Sequence, residues 1–174
     1  MQKKMRFLLI LLALCLGCFM IPINVRGAEA GRQCGDQVYW NLSADGTLLV
    51  SGSGSMWDYP VEYPDFYGVR GQVRSLIIAD GVTSVGNSAF YHFDSLETVS
   101  LPEGLERIQD FAFHSCTQLK EISIPATVQY VGSFAFAKCS DLQQVLFFGA
   151  APEFGISLFS DANPECLYPA TTAR

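Results

Sequence analysis

Three carboxylates in the first half of the chain are the first candidates for chemistry. Asp58, Glu62 and Asp65 fall within one short segment, and pairs of carboxylates carry out glycoside hydrolysis. Such an enzyme also needs a deep cleft, and nothing in the sequence builds one around this segment. We therefore interpret the three residues as solvated loop charges, and keep a secreted carbohydrate-active enzyme as the less favoured alternative.

The two histidines do not form a metal motif. His92 and His114 lie far apart in the sequence, and they lack the close spacing of zinc ligands. The sequence also contains no glycine-rich phosphate loop, no nucleophile elbow and no serine-histidine-aspartate arrangement. It therefore predicts no catalytic residue, no metal site and no cofactor.

Aromatic side chains cluster beside the three carboxylates, at Trp57, Tyr59, Tyr63, Phe66 and Tyr67. Aromatic side chains stack on sugars and form the centres of protein interfaces. Trp57, Tyr59 and Tyr63 are therefore candidate contacts for a glycan or a protein. The alternative is that the cluster covers an open end of the fold, with a mixed role for Tyr59 and Tyr63.

The first thirty residues read as a targeting segment. Three basic residues precede an apolar run over 7–21, and Ala28-Glu29-Ala30 supplies the small residues of a cleavage site. This order predicts a secretory signal peptide over 1–30 and a secreted or cell-surface protein. An uncleaved segment would be a membrane anchor, although its run is short for the about 20 residues that span a bilayer.

The charge balance argues against nucleic-acid binding. Four of the 11 basic residues and one of the 17 acidic residues lie in 1–30, which leaves a net charge of −9 on residues 31–174. An acidic surface of this size repels phosphate backbones. The length of 174 residues gives room for one domain.

A fixed 23-residue period determines the fold. It is seen in the phenylalanines Phe90, Phe113, Phe136 and Phe159, and several aliphatic columns keep the same spacing. Such a period is typical of a solenoid, in which each unit buries its apolar face only by stacking on its neighbours. The units are 74–96, 97–119 and 120–142, with a degenerate unit over 143–170, all within a solenoid over 73–174.

Each unit is predicted to open with a short strand whose alternate residues face inward. The strands are Ser75–Ile78, Thr98–Leu101, Glu121–Ile124 and Gln144–Phe147. They should pair in parallel, and each unit should then close through a turn or a short helix. One outward column results, at Ile77, Ser100, Ser123 and Leu146, with Thr98 and Glu121 beside it. Open sheet faces of solenoids commonly bind partners, so these residues are candidate contacts.

Residues 31–72 differ from the repeats and are predicted to cap them. Val38, Trp40 and Leu42 alternate with polar residues, and Asp45-Gly46 is a hairpin turn signal. A β-hairpin is expected over about 37–52. Since the apolar core of a repeat stack would otherwise meet water, this hairpin and the aromatic segment form the N-terminal cap.

The cysteines are interpreted from the repeat. Cys15 and Cys18 lie in the targeting run, where neither has the surroundings of a lipidation site. Cys116 and Cys139 share a column whose other members are apolar, which favours buried free thiols over a disulfide. Cys34 and Cys166 fall at opposite ends of the stack, and the sequence leaves their redox state open.

The repeat units carry in-phase features that mark a family. The core pattern is found at Ser84–Phe90, Glu106–Phe113 and Gln129–Phe136, with Cys116 and Cys139 in one column and Pro102 and Pro125 ending strands. The pattern resembles the BspA-like leucine-rich repeat family of bacterial surface and secreted proteins. The first unit departs from it, with Phe93 in the cysteine column.

The resemblance implies a leucine-rich repeat solenoid that adheres to host or neighbouring-cell surface proteins, with no enzymatic activity. The function predicted here is therefore an exported protein-binding module, with a glycan as a possible ligand. A structural spacer, or a fragment of a longer repeat protein, is the alternative. The membrane would be contacted only through an uncleaved signal peptide.

Overall fold

The computed structural model describes residues 31–59 and 65–169. The predicted signal peptide, Glu62 and the candidate contact Tyr63 lie outside the described residues, as does the side chain of Asp65. No helix among the described residues is both long enough and apolar enough to cross a bilayer. The boundaries of the predicted cap and solenoid stay predictions.

Short strands and one 3₁₀ helix make up the regular structure. The strands are β1 (Arg32–Gln33), β2 (Val38–Leu42), β3 (Thr47–Gly52), β4 (Gly54–Ser55), β5 (Ser75–Ile78), β6 (Val82–Val85), β7 (Thr98–Ser100), β8 (Arg107–Ile108), β9 (Glu121–Ile124), β10 (Tyr130–Val131), β11 (Gln144–Phe147), β12 (Glu153–Phe154) and β13 (Glu165–Leu167). The helix covers Asp65–Gln72. The chain is a solenoid of short parallel strands preceded by a β-hairpin, as the sequence predicted.

The hairpin consists of β2 and β3, which pair antiparallel with Leu42 opposite Leu48. Its turn uses Asp45, whose carboxylate accepts the N–H of Thr47 at 3.0 Å and the hydroxyl of Ser43 at 2.5 Å. Gly46 follows with φ of 86°, a conformation that glycine adopts at no steric cost. Asp-Gly therefore forms the turn that the sequence indicated.

The hairpin does more than cover the first repeat. Strand β3 pairs in parallel with β5, with Thr47 opposite Ser75 and Val50 opposite Ile78. Residues 54–59 lie beside β6 of the first repeat. Strand β4 pairs with it in parallel, and the N–H of Met56 donates to Ser84 O at 3.0 Å. The cap therefore adds paired backbone to both sheets ahead of the first repeat.

A second parallel sheet, not foreseen from the sequence, closes each turn. Its order is β12-β10-β8-β6-β4, and it buries the column Val85, Ile108 and Val131. Most of its strands have only two residues, too few to produce an alternating pattern. Each repeat thus contributes one strand to each of two sheets.

The third side of each repeat is a turn and not a helix. Two residues per turn have positive φ, in the columns Ser88, Phe111, Phe134, Ser157 and His92, Ser115, Lys138, Asp161. Between these sites the N–H groups donate to the next repeat, as Phe113 N does to Ala135 O at 2.9 Å. The sequence left a turn or a short helix open here, and the structure has turns.

The core consists of the stacked phenylalanine column. Phe113 and Phe136 lie 5.5 Å apart with an interplanar angle of 1°, and Phe90 stacks on Phe113 at 5.3 Å. Phe66 from the cap helix is fully buried and stacks on Phe90 at 5.6 Å. Phe66 therefore extends the phenylalanine column into the cap. Of the aromatic segment, this residue covers the N-terminal end of the core, as predicted.

Candidate functional site

The outward column of the first sheet runs through the whole described solenoid. Backbone register places Leu49 opposite Ile77, Ile77 opposite Ser100, and Ser123 opposite Leu146. Ile77 is 40% exposed, Ser100 and Ser123 are exposed, and Leu146 is half-buried. The column therefore has two small hydroxyl residues at its centre, with an apolar side chain on each side.

The first sheet is interrupted at the centre of this column. Strands β1, β2, β3, β5 and β7 form one hydrogen-bonded sheet, whereas β9, β11 and β13 form another. Strands β7 and β9 are neighbours, but the described backbone forms no paired ladder between them. Ser100 and Ser123 lie on the two sides of this interruption.

Strand β7 is also more exposed than the strands on either side of it. Val99 and Leu101 are half-buried, whereas the corresponding residues Ile122 and Ile124 of the next repeat are each 1% exposed. The sequence predicted inward positions for both columns, and Val99 and Leu101 do pack against the core, although both remain partly exposed. The partial exposure of these two side chains therefore coincides with the interruption of the sheet.

A shallow pocket of about 380 Å³ lies beside this opening. The first residues of β7, β9 and β11 and the residue before each of them line this pocket. They are Glu97, Thr98, Lys120, Glu121, Gln143 and Gln144. Two of the predicted contacts, Thr98 and Glu121, are thus brought together. The lining offers carboxylates, amides and one ammonium group, which can hydrogen-bond a polar ligand.

Charges of opposite sign occupy successive repeats along the pocket edge. Arg74 Nη1 lies 3.1 Å from Glu97 Oε1, with both side chains exposed. Lys120 occupies the same column in the repeat after that of Glu97. Exposed pairs of this kind contribute little to stability. The 23-residue spacing of Arg74, Glu97 and Lys120 is the sequence signal for this row of charges.

The two described aromatic candidates of the cap are held by hydrogen bonds. Trp57 is 41% exposed, and its Nε1 donates to Asp36 Oδ1 at 3.0 Å. Tyr59 is half-buried against the core, with its hydroxyl 3.5 Å from Cys34 O. Of these two, Trp57 presents the larger face to solvent, and it lies away from the β7–β9 opening.

The only carboxylate of the acidic group with a described side chain has a structural role. Asp58 Oδ1 accepts the backbone N–H of Asn87 at 2.7 Å. The equivalent bond recurs further along the stack, where Asp110 Oδ1 accepts Ser133 N–H at 2.7 Å. Asp58 therefore joins the cap to the first repeat.

The histidines lie together on the turn side, with ring centroids 6.2 Å apart. Tyr91 stacks on His114 at 4.8 Å, and Ser115 Oγ lies 2.9 Å from His114 Nδ1. Burial, followed by the nearby Lys138 and His92, lowers the pKa of His114. Among the described residues, no three His, Cys, Asp or Glu side chains converge as metal ligands would.

The cysteine column is buried and used for hydrogen bonding. Cys116 Sγ lies 3.3 Å from Phe90 O, and Cys139 Sγ lies 3.1 Å from Phe113 O. Each thiol therefore donates to the repeat before its own. Cys34 is also buried, whereas Cys166 is exposed, and all four of these described thiols are free.

A family model described as "BspA type Leucine rich repeat region" matches residues 62–168 in six copies. The chain belongs to this family. The match includes the helix residue Phe66 and every repeat strand. No curated protein sequence matches the chain.

Solved bacterial structures share the leucine-rich repeat fold. A leucine-rich repeat protein from Eubacterium ventriosum aligns with a TM-score of 0.59 and 18% identity, over 79% of this chain and 43% of that one. The chain thus spans less than half of that protein. A leucine rich cell surface protein from Faecalibacterium prausnitzii aligns at 0.39 and 18%, over 66% and 54%. Pneumococcal vaccine antigen PcpA aligns at 0.45 and 16%, over 79% and 49%.

Proposed function

We propose that this leucine-rich repeat chain is an exported, non-enzymatic module that binds a protein partner through the first sheet around β7 and β9. The interruption of the sheet between these strands carries the proposal. Exposed Ser100 and Ser123 lie on its two sides, and a polar pocket lined in part by Thr98 and Glu121 lies beside it.

The chemistry of this surface favours binding over catalysis. Its pocket has a volume of about 380 Å³ and is lined by side chains from three repeats, none of which is a nucleophile paired with a base. The stacked phenylalanine column keeps the strands rigid, and a rigid surface loses little conformational entropy on binding. A protein loop with hydrogen-bonding and small apolar side chains would fit it.

Export is proposed from the sequence of residues 1–30, whose basic, apolar and small segments have the order of a signal peptide. The mass of the protein recovered outside the cell tests this directly. A chain that begins at Gly31 is expected, whereas a chain that keeps residues 1–30 in the membrane would contradict export by cleavage.

The binding proposal is tested with purified residues 31–174 and a panel of extracellular-matrix proteins, host cell-surface proteins and glycans. A saturable protein ligand is expected. Ser100→Arg and Ser123→Arg should each weaken it at least about tenfold, because the large charged side chain fills the opening, and tenfold corresponds to about 1.4 kcal/mol. Gln129→Arg is the matched control, since Gln129 is exposed on the second-sheet side.

Three results would reject the sheet face. Equal affinity of all three arginine variants would place the contact elsewhere. A glycan ligand lost in Trp57→Ala would assign binding to the exposed indole of the cap. The absence of any saturable ligand from a folded sample would favour a structural spacer.

A further inference from the structure

One set of backbone hydrogen bonds on the turn side of the solenoid points in a single direction, toward the C-terminal end. In each repeat three N–H groups donate to carbonyls of the following repeat, as Phe134 does to Ile156, Phe136 to Leu158 and Lys138 to Ser160, at 2.7–3.1 Å. The equivalent donors of the last turn are Ser157, Phe159 and Asp161. No acceptor for these three N–H groups is found among the described residues.

The same end of the solenoid exposes apolar side chains, and one of them belongs to a column that is buried in the earlier repeats. Phe154 is 40% exposed, whereas Ile108 and Val131 in its column are at most 1% exposed. Ile156 is 71% exposed and Leu167 is 37% exposed. Strands β12 and β13 are the last strands of their sheets. This end, which we call the C-terminal edge, therefore presents apolar surface and unpaired backbone together.

The charges of the C-terminal edge have a single sign. Glu153, Asp161 and Glu165 are exposed, and no lysine or arginine occurs between residues 143 and 169. Basic side chains on a ligand would complement these carboxylates, whereas acidic side chains would be repelled by them.

From these three observations we infer that the C-terminal edge binds an extended segment of another protein in which apolar residues alternate with lysine or arginine. Its carbonyl groups accept the N–H groups of Ser157, Phe159 and Asp161. Its apolar side chains cover Phe154 and Ile156, and its basic side chains meet Glu153 and Glu165. This is strand addition to an open edge, in which backbone bonds give affinity and alternate side chains give specificity.

A second copy of the chain fits this edge less well. Two C-terminal edges facing each other would oppose N–H donors to N–H donors and carboxylates to carboxylates. The N-terminal end of another copy is already paired by its own cap, since Asn87 O accepts Tyr59 N–H at 2.9 Å. Hydrogen bonding and charge therefore both favour a basic partner segment.

Two synthetic peptides of equal length test the inference on residues 31–174, one alternating valine with lysine and the other valine with glutamate. The lysine peptide should bind at least about tenfold more tightly. Ile156→Asp should weaken its binding at least about tenfold although it adds negative charge, and the double change Glu153→Lys with Glu165→Lys should do so through charge. Tyr39→Asp, at a residue of the cap that is 40% exposed, is the matched control and should have no effect.

Amide hydrogen exchange locates the bound peptide. Ser157, Phe159 and Asp161 should gain protection, since their N–H groups acquire acceptors. Equal affinity for both peptides would overturn the inference. So would an equal loss in Ile156→Asp and Tyr39→Asp, or protection confined to β7 and β9. Dimerisation abolished by Ile156→Asp would make a second copy the occupant. Tighter binding by a chain ending at Pro169 would assign the edge to residues 170–174. These readouts are independent of Ser100 and Ser123, and so of the proposed function.

Discussion

At the scale of single residues, Phe113 has the most central position in the core. It stacks on Phe90 at 5.3 Å and on Phe136 at 5.5 Å, and it is fully buried. Its ring therefore joins three repeats, and its removal would leave a cavity that neighbouring rings on both sides cannot fill without moving.

Phe113→Ala should lower the free energy of unfolding by about 3–5 kcal/mol, the range for buried aromatic residues. Phe148→Ala is the control, because Phe148 is 60% exposed and its truncation should change stability by no more than about 0.5 kcal/mol. Urea denaturation of both variants gives the comparison. Similar midpoints for the two variants would contradict the stacked column.

The thiols differ in reactivity because they differ in burial. Desolvation raises the pKa of Cys34 and of Cys139 to about 12, and raises the pKa of Cys116 well above its ordinary value. The thiolate is the reactive form. Cys166 is exposed, although partial burial raises its pKa as well.

Thiol labelling of residues 31–174 at pH 8 should therefore modify Cys166 alone in the folded protein. All four thiols should react in denaturant without a reducing agent, since the structure keeps them free. Only two reactive thiols in denaturant would reveal a disulfide. Rapid labelling of Cys116 or Cys139 in the folded state would show that the column is open to solvent.

At the scale of elements, the sequence predicted what its repeat period encodes. Strands β5, β9 and β11 have the predicted bounds, because alternation and period agree there. The second sheet was missed since strands such as β8 and β10 have two residues. Phe66 was not recognised as part of the phenylalanine column because its spacing from Phe90 does not match the period and its local sequence is different.

The sequence predicted the outward residues of the candidate site but not the interruption of its sheet. The outward column at Ser100 and Ser123 follows from alternation, and so does its exposure. The interruption between β7 and β9 depends on how adjacent repeats stack, which a single repeat does not encode. Val99 and Leu101 are apolar like the other members of their core columns, so their residue types gave no sign of their partial exposure.

One close contact between the cap and the first repeat requires a glycine. A methyl group on Gly86 would overlap the carbonyl oxygen of Trp57, so Gly86→Ala should loosen the cap and destabilise it by about 1–3 kcal/mol. Both tryptophans, Trp40 and Trp57, lie in the cap, so their fluorescence reports its release. In urea the fluorescence transition should precede the loss of circular dichroism.

Gly104→Ala provides the matched control, because a methyl group there meets open space. Its two transitions should coincide with each other and with those of the unchanged protein. Coinciding transitions at the unchanged midpoint for Gly86→Ala would show that the cap does not rest on this contact.

At the scale of the whole molecule, each repeat contacts only its neighbours, so stability is not uniform along the chain. The central repeats have a partner on both sides, whereas the last turn has one. The cap supplies the N-terminal end with hydrogen bonds such as that from Met56 to Ser84. The described C-terminal edge instead has exposed Phe154 and Ile156, and opening should begin there.

Hydrogen exchange in the unliganded protein measures how stability differs between the central repeats and the last turn. The amides of Phe111, Phe113 and Ser115 donate to the next repeat at 2.8–2.9 Å, and they should exchange only through large-scale opening. Those of Ser157, Phe159 and Asp161 lack described acceptors and should exchange at least about 100-fold faster. The two sets of amides lie in the same turn conformation, so a difference in exchange reflects hydrogen bonding. Positive φ between 52° and 61° is found at Phe111, Ser115, Ser157 and Asp161. Equal protection of the two sets would mean that the last turn is already paired, and that the C-terminal edge is not open to a partner.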